Sequence, residues 1–333
     1  MSISREIRWG ILGPGLIAGL FAADLARTPG ARCVAVASRD AERARAFAAR
    51  FGASRHYTDY EALTHDPDVD IVYVATPHSH HFEHVKRMLA GGKPVLVEKP
   101  FTMTAVEAEE LIARARDRRI FLMDALWTLC NPLMRDLIRR IREGQIGVPR
   151  AFSATIGPLG GIPLGHRVED PALGGSFMLE CLVYPLYILA AMAPELARAD
   201  QIFAASVVTP RGVDTYAALS LSSSAGLANM SGGYAIGTQG LGLSTFHLIG
   251  DRGWLQIDDN VFNPGRATVS AGAKAPVVLN EPLNAQGYRW EIEEASRCIR
   301  AGEVESPLVP HELTLGVMRL LDRGRAAAGL RAS

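Results

Sequence analysis

The chain has no excess of charge of either sign, with 35 Lys+Arg against 35 Asp+Glu in 333 residues. Such a balance leaves no electrostatic footprint for nucleic acid or anionic lipid. Cysteine is scarce too. Cys33, Cys130, Cys181 and Cys298 lie far apart and form no CxxC pair, which argues against a zinc knuckle or a disulfide frame and fits reduced thiols in the cytoplasm. Long hydrophobic runs are missing: the longest uncharged apolar run, Cys181 to Pro194, is too short to cross a bilayer and contains Pro185. The N-terminus, MSISREIRWG, is charged and leads straight into a strand pattern, so no signal peptide is expected. There is no internal repeat and no low-complexity segment.

What remains is an ordinary globular composition, 48% hydrophobic and 21% charged, in a length that suggests about two domains. The centre of gravity of the sequence is Val95-Leu-Val-Glu-Lys-Pro-Phe101. Three apolar residues suit a strand buried on both faces, and an acid and an ammonium follow it at once. Open α/β sheets bind their ligands outside the carboxyl ends of the strands, so Glu98 and Lys99 stand where site chemistry is placed. Two solvated charges in a βα turn are the plainer alternative.

The residues before this stretch favour a nucleotide site. A strand at 8–13 runs into Gly13-x-Gly15-x-x-Ala18, and Ile17, Leu20, Phe21 and Leu25 then mark a helix with one apolar face. Glycines there permit a tight turn and close approach of a pyrophosphate to free N–H groups at the helix N-terminus. A second strand, 33–37, ends in Ser38-Arg39-Asp40, with Arg43 a turn later. A carboxylate at this strand end holds the ribose 2′-hydroxyl of NAD. Serine and arginine instead suit the extra phosphate of NADP, while Asp40 also reads as the cap of a helix over 41–50. A third strand, 71–75, leads into TPHSHHFEH, where His78, His80, His81 and His84 crowd together. Zinc sites of the helical type add a separate third ligand, and none is evident, so Thr76, Pro77 and His81 read as cofactor-lining and the other histidines as exposed. Thr104-x-x-Glu107 is a capping box for a helix reaching about Asp117, and 120–123 is a further strand. Alternation of strand and helix means a doubly wound parallel sheet.

GPGLIA, SRD, TPHSHH and EKP, in this order and spacing, resemble the glucose-fructose oxidoreductase/inositol dehydrogenase (Gfo/Idh/MocA) family. FLMDALWT at 121–128 is similar to its dimeric dihydrodiol dehydrogenase and NADP-dependent xylose dehydrogenase branch. The resemblance covers most of 8–190. It implies an α/β chain: an N-terminal Rossmann-type doubly wound parallel sheet (1–123) that binds NADP, then an α+β domain (124–333) with a large, mostly antiparallel open sheet for substrate binding and association. It places Lys99 beside the nicotinamide and the substrate hydroxyl and implies a cis Lys99–Pro100 bond. It also assigns the cofactor set Gly13, Gly15, Leu16, Ile17, Ser38, Arg39, Arg43, Thr76, Pro77, His78, His81, Glu98, Lys99 and Pro100. The second motif of the family is similar to GGSFMLECLVYPL at 174–186, with Tyr184 kept and Glu180 in place of an aspartate. Leu129 stands where relatives often carry arginine.

In the second half, a helix over 132–143 ends near Gly144. A strand spans 150–156, a Gly/Pro-rich loop 157–175 holds His166 and Arg167, and a buried helix over 176–192 is expected to kink at Pro185. Strand runs at 201–209, 213–222, 226–233, 243–250, 253–258 and 265–271 imply an antiparallel sheet, and helices close the chain at 288–301 and 311–328. The Ala/Ser-rich pattern of 201–221 suggests close packing against a second subunit, hence a homodimer or homotetramer. In the expected chemistry a secondary alcohol or carbonyl of a sugar, keto-sugar or dihydrodiol exchanges hydride with the cofactor. Tyr184 gives or takes the proton, Lys99 assists and Glu180 orients a neighbouring hydroxyl. Trp127, Ile156 and Arg167 line the substrate, and no metal takes part. Tyr184 reads equally as a satisfied core tyrosine. A non-catalytic sensor of dinucleotide and sugar is the alternative on the same fold.

Overall fold

Short apolar runs between turn residues build the first sheet: β1 (Ile7–Leu12), β2 (Ala31–Ala37), β3 (Arg55–Tyr57), β4 (Ile71–Val74), β5 (Val95–Val97) and β6 (Leu122–Asp124). The computed structural model describes residues 5–240, 242, 244–257, 260–282 and 287–330. Residues 1–4 of the N-terminal stretch and the expected strand ends at 243 and 258 lie outside the described residues. Two compact units emerge, one of Met1–Thr102, Val106–Cys130 and Leu283–His311, the other of Met103–Ala105, Asn131–Pro282 and Glu312–Ser333.

In the first unit the six strands are parallel, in the order β3-β2-β1-β4-β5-β6. Every residue of β4 and β5 is fully buried, as strands covered on both faces must be. The edge strand β3 is unforeseen, because Arg-His-Tyr carries no apolar run. The strands expected third and fourth are therefore β4 and β5. Helices α1 (Leu16–Leu25), α2 (Ala41–Phe51), α3 (Tyr60–His65), α4 (His81–Ala90), α5 (Ala105–Arg118) and α6 (Trp127–Cys130) alternate with the strands.

A division at residue 123 does not describe this unit. The later helix Arg289–Ala301 returns to it, burying Ile292, Ala295 and Cys298 against α1 and α6. Just before it, Tyr288 stacks on Trp127 (4.9 Å between centroids, 7° between planes) and donates its N–H to Asp24 at 3.1 Å. Periodicity shows that such a helix hides one face; it does not show against what.

The second unit is built on an eight-stranded sheet of β7 (Pro149–Ile162), β8 (Gln201–Val208), β9 (Asp214–Ser223), β10 (Gly226–Ile236), β11 (Ser244–Gly250), β12 (Gly253–Ile257), β13 (Arg266–Ala271) and β14 (Val277–Asn280). Their order is β14-β13-β12-β11-β7-β10-β9-β8. All pairings are antiparallel except that of β7 with β10. β7 runs on to Ile162 instead of ending at 156, and β14 is additional. Residues 157–162 were expected as loop because of their glycines. Those glycines serve a close backbone approach, since a Cβ on Gly160 would fall 1.6 Å from the amide nitrogen of Gly240.

Helix α7 (Pro132–Arg142) starts at Asn131, whose side chain accepts from the N–H of Met134 at 3.2 Å. The buried helix begins as a π-helical turn, Met178–Leu182, and continues as α8 (Val183–Met192). The irregularity thus precedes Pro185, which falls in the first turn of α8, where a missing N–H costs least. The stretch Pro171–Met192 is apolar enough and long enough to span a membrane, yet 83% of its most apolar window is buried inside the protein. Helices Pro194–Ala197 and His311–Ala327 complete the fold.

Candidate active site

The strand order of the first sheet reverses between β1 and β4, and ligands of such sheets bind in that crevice. Gly13 turns the chain there at φ +89°, and a Cβ on it would lie 2.8 Å from Cγ2 of Thr76 and 2.9 Å from the carbonyl oxygen of Ala75. Gly15, at the head of the ten-residue α1, has nothing within 4 Å of the place a Cβ would take. Leu16 is exposed and Ile17 partly so. This open, side-chain-free cradle at a helix N-terminus fits the pyrophosphate of a dinucleotide. At the end of β2, Ser38 is buried, and its hydroxyl accepts from the N–H of Asp40 at 3.2 Å. Asp40 caps α2 by accepting from the N–H of Arg43 at 3.0 Å, and Arg39 and Arg43 are both exposed.

Past β4, Thr76 is buried and Pro77 partly exposed. The histidines do not converge, and among the described residues no group of three His, Cys, Asp or Glu could hold a metal ion. His78 is buried, its ring edge-on to His81 at 5.6 Å, and His80 faces the hydroxyl of Ser79 through Nδ1 at 2.9 Å. The expectation of exposed histidines therefore fails for His78, which the 3-10 turn at 78–80 folds inward. It fails in part for His84, whose Nδ1 lies 3.0 Å from Oγ1 of Thr76. His81 was expected to line the cofactor, but it is wholly buried and spends both ring nitrogens on carbonyl oxygens.

Burial, helped by the nearby cations of His80, Arg87 and Arg39, pushes His84 down to about 4. Between that value and the ordinary 6.5 the unfolded chain binds a proton that the folded one refuses. Stability must then fall as pH drops through this window. Thermal melts between about pH 6.5 and 4 should show this loss, and His84→Gln should reduce it; an unchanged profile in the variant would reject the assignment.

The turn after β5 carries Glu98, Lys99 and Pro100. The Lys99–Pro100 bond is cis, as the resemblance implies, Lys99 is half-buried and Pro100 buried. The carboxylate of Glu98 accepts from the hydroxyl of Tyr73. Burial, and then Glu98 itself, hold that phenol well above its ordinary range, so it remains a donor. Glu291, from the returning helix, has both carboxyl oxygens buried without a hydrogen-bond partner. Burial, followed by the charges of Glu98, Asp124 and Asp24, pushes its carboxyl well above the ordinary carboxylate range. Neither Tyr73 nor Glu291 was foreseen as part of this neighbourhood. They lie 25 and 193 residues from Glu98 in the chain, and no local pattern connects them to it.

In the second unit Glu180 lies on the π-helical turn and Tyr184 on α8. Arg167 grips Glu180 with two bonds, Nη1 to Oε2 at 3.2 Å and Nη2 to Oε1 at 3.1 Å. The head of the turn is held by Ser176, which accepts from the N–H of Leu179 at 3.2 Å, and by Asp214, which accepts from that of Met178 at 2.8 Å. Tyr184 is 6% exposed, its ring edge-on to Phe262 at 4.6 Å. Ile156, expected against substrate, is fully buried; it points to the core side of β7, paired with Gly232 and Ser244. Trp127 is half-buried against Tyr288 in the first unit.

Residues 7–124 match a family described as the GFO_IDH_MocA oxidoreductase family, NAD-binding Rossmann fold. The chain is 32% identical to trans-1,2-dihydrobenzene-1,2-diol dehydrogenase of Mus musculus, over 97% of each chain. It is 30% identical to D-xylose 1-dehydrogenase (NADP(+)) of Hypocrea jecorina, over 97% of this chain and 92% of the relative. Among solved structures, a 3-ketoreductase from Actinomadura kijaniata, in complex with NADP and TDP-benzene, superposes with a TM-score of 0.83 at 27% identity, covering 97% of this chain and 98% of the other. The likeness runs through both units and not through the dinucleotide-binding strands alone, and on it the chain belongs to the Gfo/Idh/MocA family of oxidoreductases.

Proposed function

We propose that this chain is an NADP(H)-dependent oxidoreductase that interconverts a secondary alcohol and a carbonyl on a sugar, keto-sugar or dihydrodiol. The observation that carries the cofactor choice is the end of β2. Its one carboxylate, Asp40, is committed to capping α2, while Arg39 and Arg43 are exposed and Ser38 is buried. Two guanidinium groups and a hydroxyl suit a 2′-phosphate. Arg39→Ala is expected to weaken NADP binding roughly ten- to a hundredfold, the worth of one charge-assisted hydrogen bond, and to leave NAD almost unchanged. Equal losses for the two dinucleotides would remove the phosphate clamp.

The Gly13–Ile17 turn, the β2 end and the turns after β4 and β5 would hold NADP(H), which would supply or take the hydride. The protein handles the proton. Tyr184 gives it to, or takes it from, the reacting oxygen, to which Lys99 also hydrogen-bonds. A lysine cation lowers a nearby phenol towards neutrality, where it becomes a useful acid or base. Glu180, fixed by Arg167, orients a neighbouring substrate hydroxyl, and Trp127 offers an apolar wall. The relatives' printed activities, on a dihydrodiol, an aldose and a ketone, support this substrate range.

The exposed face of the second sheet carries Phe203 and Val207 on β8, Tyr216 on β9, Leu227 on β10 and Ile249 on β11, each 43 to 62% exposed. Apolar side chains at this density favour burial against another copy of the chain, so we place a homo-oligomer there. A monomeric mass by sedimentation at micromolar concentration would reject it. All four cysteines are buried and form no disulfide, and we place the protein in the cytoplasm on that ground.

A further inference from the structure

His81 begins α4 and is completely buried. Its Nδ1 lies 2.9 Å from the carbonyl oxygen of Pro100 and its Nε2 2.9 Å from that of Thr76. A carbonyl oxygen can only accept, so each contact is a hydrogen bond only if that ring nitrogen carries hydrogen. A neutral imidazole has a single N–H. Its other nitrogen would set a lone pair against a carbonyl lone pair at 2.9 Å, too short for a water between them. Turning the ring over would put carbon at both positions and forfeit both bonds.

We propose that His81 is a positioning residue, held as an imidazolium that ties the end of β4 at Thr76 to the turn after β5 at Pro100. The two anchored carbonyls belong to the two turns that flank the dinucleotide under the proposed function, and the inference rests on that reading for the place of the cofactor. One of them directly follows Lys99. The ring of His78 is edge-on to that of His81 at 5.6 Å. Charge-assisted bonds are about twice as strong as neutral ones, so the cross-link holds both turns at one spacing before cofactor arrives and lowers the ordering cost of binding.

Neutron diffraction from deuterium-exchanged crystals of the full chain at neutral pH tests this directly. Deuterium on both ring nitrogens of His81 is expected; deuterium on one alone overturns the proposal. In solution, His81→Gln presents one amide donor and one carbonyl, so at most one of the two contacts survives. NADP binding by titration calorimetry, well below the melting transition, should weaken roughly tenfold. A folded variant with unchanged affinity would refute the positioning role. If the variant does not fold, the neutron map of the unaltered protein decides. Because that map needs neither cofactor nor turnover, its failure leaves the roles of Lys99 and Tyr184 standing, and failure of those roles leaves the map unaffected.

Discussion

Lys99→Met is expected to lower kcat/KM for NADPH-dependent carbonyl reduction by on the order of 100- to 10,000-fold, the range that placed proton transfer contributes. Methionine keeps the length and apolar stem of lysine and removes the ammonium, and Lys99 is only half-buried, so the fold should survive. Tyr184→Phe should do comparable damage by a cleaner deletion. The ring stays, with its edge-on contact to Phe262 at 4.6 Å, and only the hydroxyl is lost. If both groups serve one reacting oxygen, the double variant will be little worse than either single one, since residues that act as a unit are strongly non-additive. Additive losses would mean two independent roles. Near-normal turnover in both single variants would end the catalytic assignment and leave a dinucleotide- and sugar-binding sensor as the better description.

Two glycines separated by one residue, Pro14, should respond in opposite ways. Gly15→Ala places a methyl group in open space, at a φ of −93° that any residue adopts. Its melting temperature should be unchanged, yet the methyl projects where the pyrophosphate must approach, and NADP binding should weaken tenfold or more. Gly13→Ala meets the Thr76 side chain at 2.8 Å and the Ala75 backbone at 2.9 Å, at a φ of +89°. The left-handed backbone alone costs about 1–2 kcal/mol, and the collision adds to it. This variant should lose several degrees of thermal stability as well as cofactor binding. Thermal melts and calorimetric titration with NADP separate the two. Full NADP affinity in Gly15→Ala would mean that the turn is a packing device and not a cradle.

Much of the architecture was legible before the coordinates because it rests on short-range chemistry. Val95–Val97 announced a strand buried on both faces, Asp40 its capping role, and the six runs between 201 and 271 their strands. Where local chemistry pointed the wrong way, a distant partner had overruled it. Gly157 to Gly161 looked like a loop, and became strand because β10 and Gly240 lie against it. Pro185 suggested a kink, which the wider turn at 178–182 had already supplied. Ile156 seemed a wall for substrate and proved to be core.

The candidate site divides along the same line. Residue type and spacing by themselves pointed to the glycine turn, the serine–arginine end of β2 and the Glu-Lys-Pro turn, because each is chemistry carried on a few consecutive positions; the family resemblance singled out the tyrosine four residues after Glu180. Only the tertiary structure decided that His81 faces two carbonyls, that Arg167 grips Glu180, that Glu291 is buried near Glu98, and that the helix at 289–301 packs against α1 and α6. These depend on which surfaces meet after the chain has folded back over tens to hundreds of residues, and hydrophobic burial, which drives that meeting, has no direction and leaves no local mark of its partner.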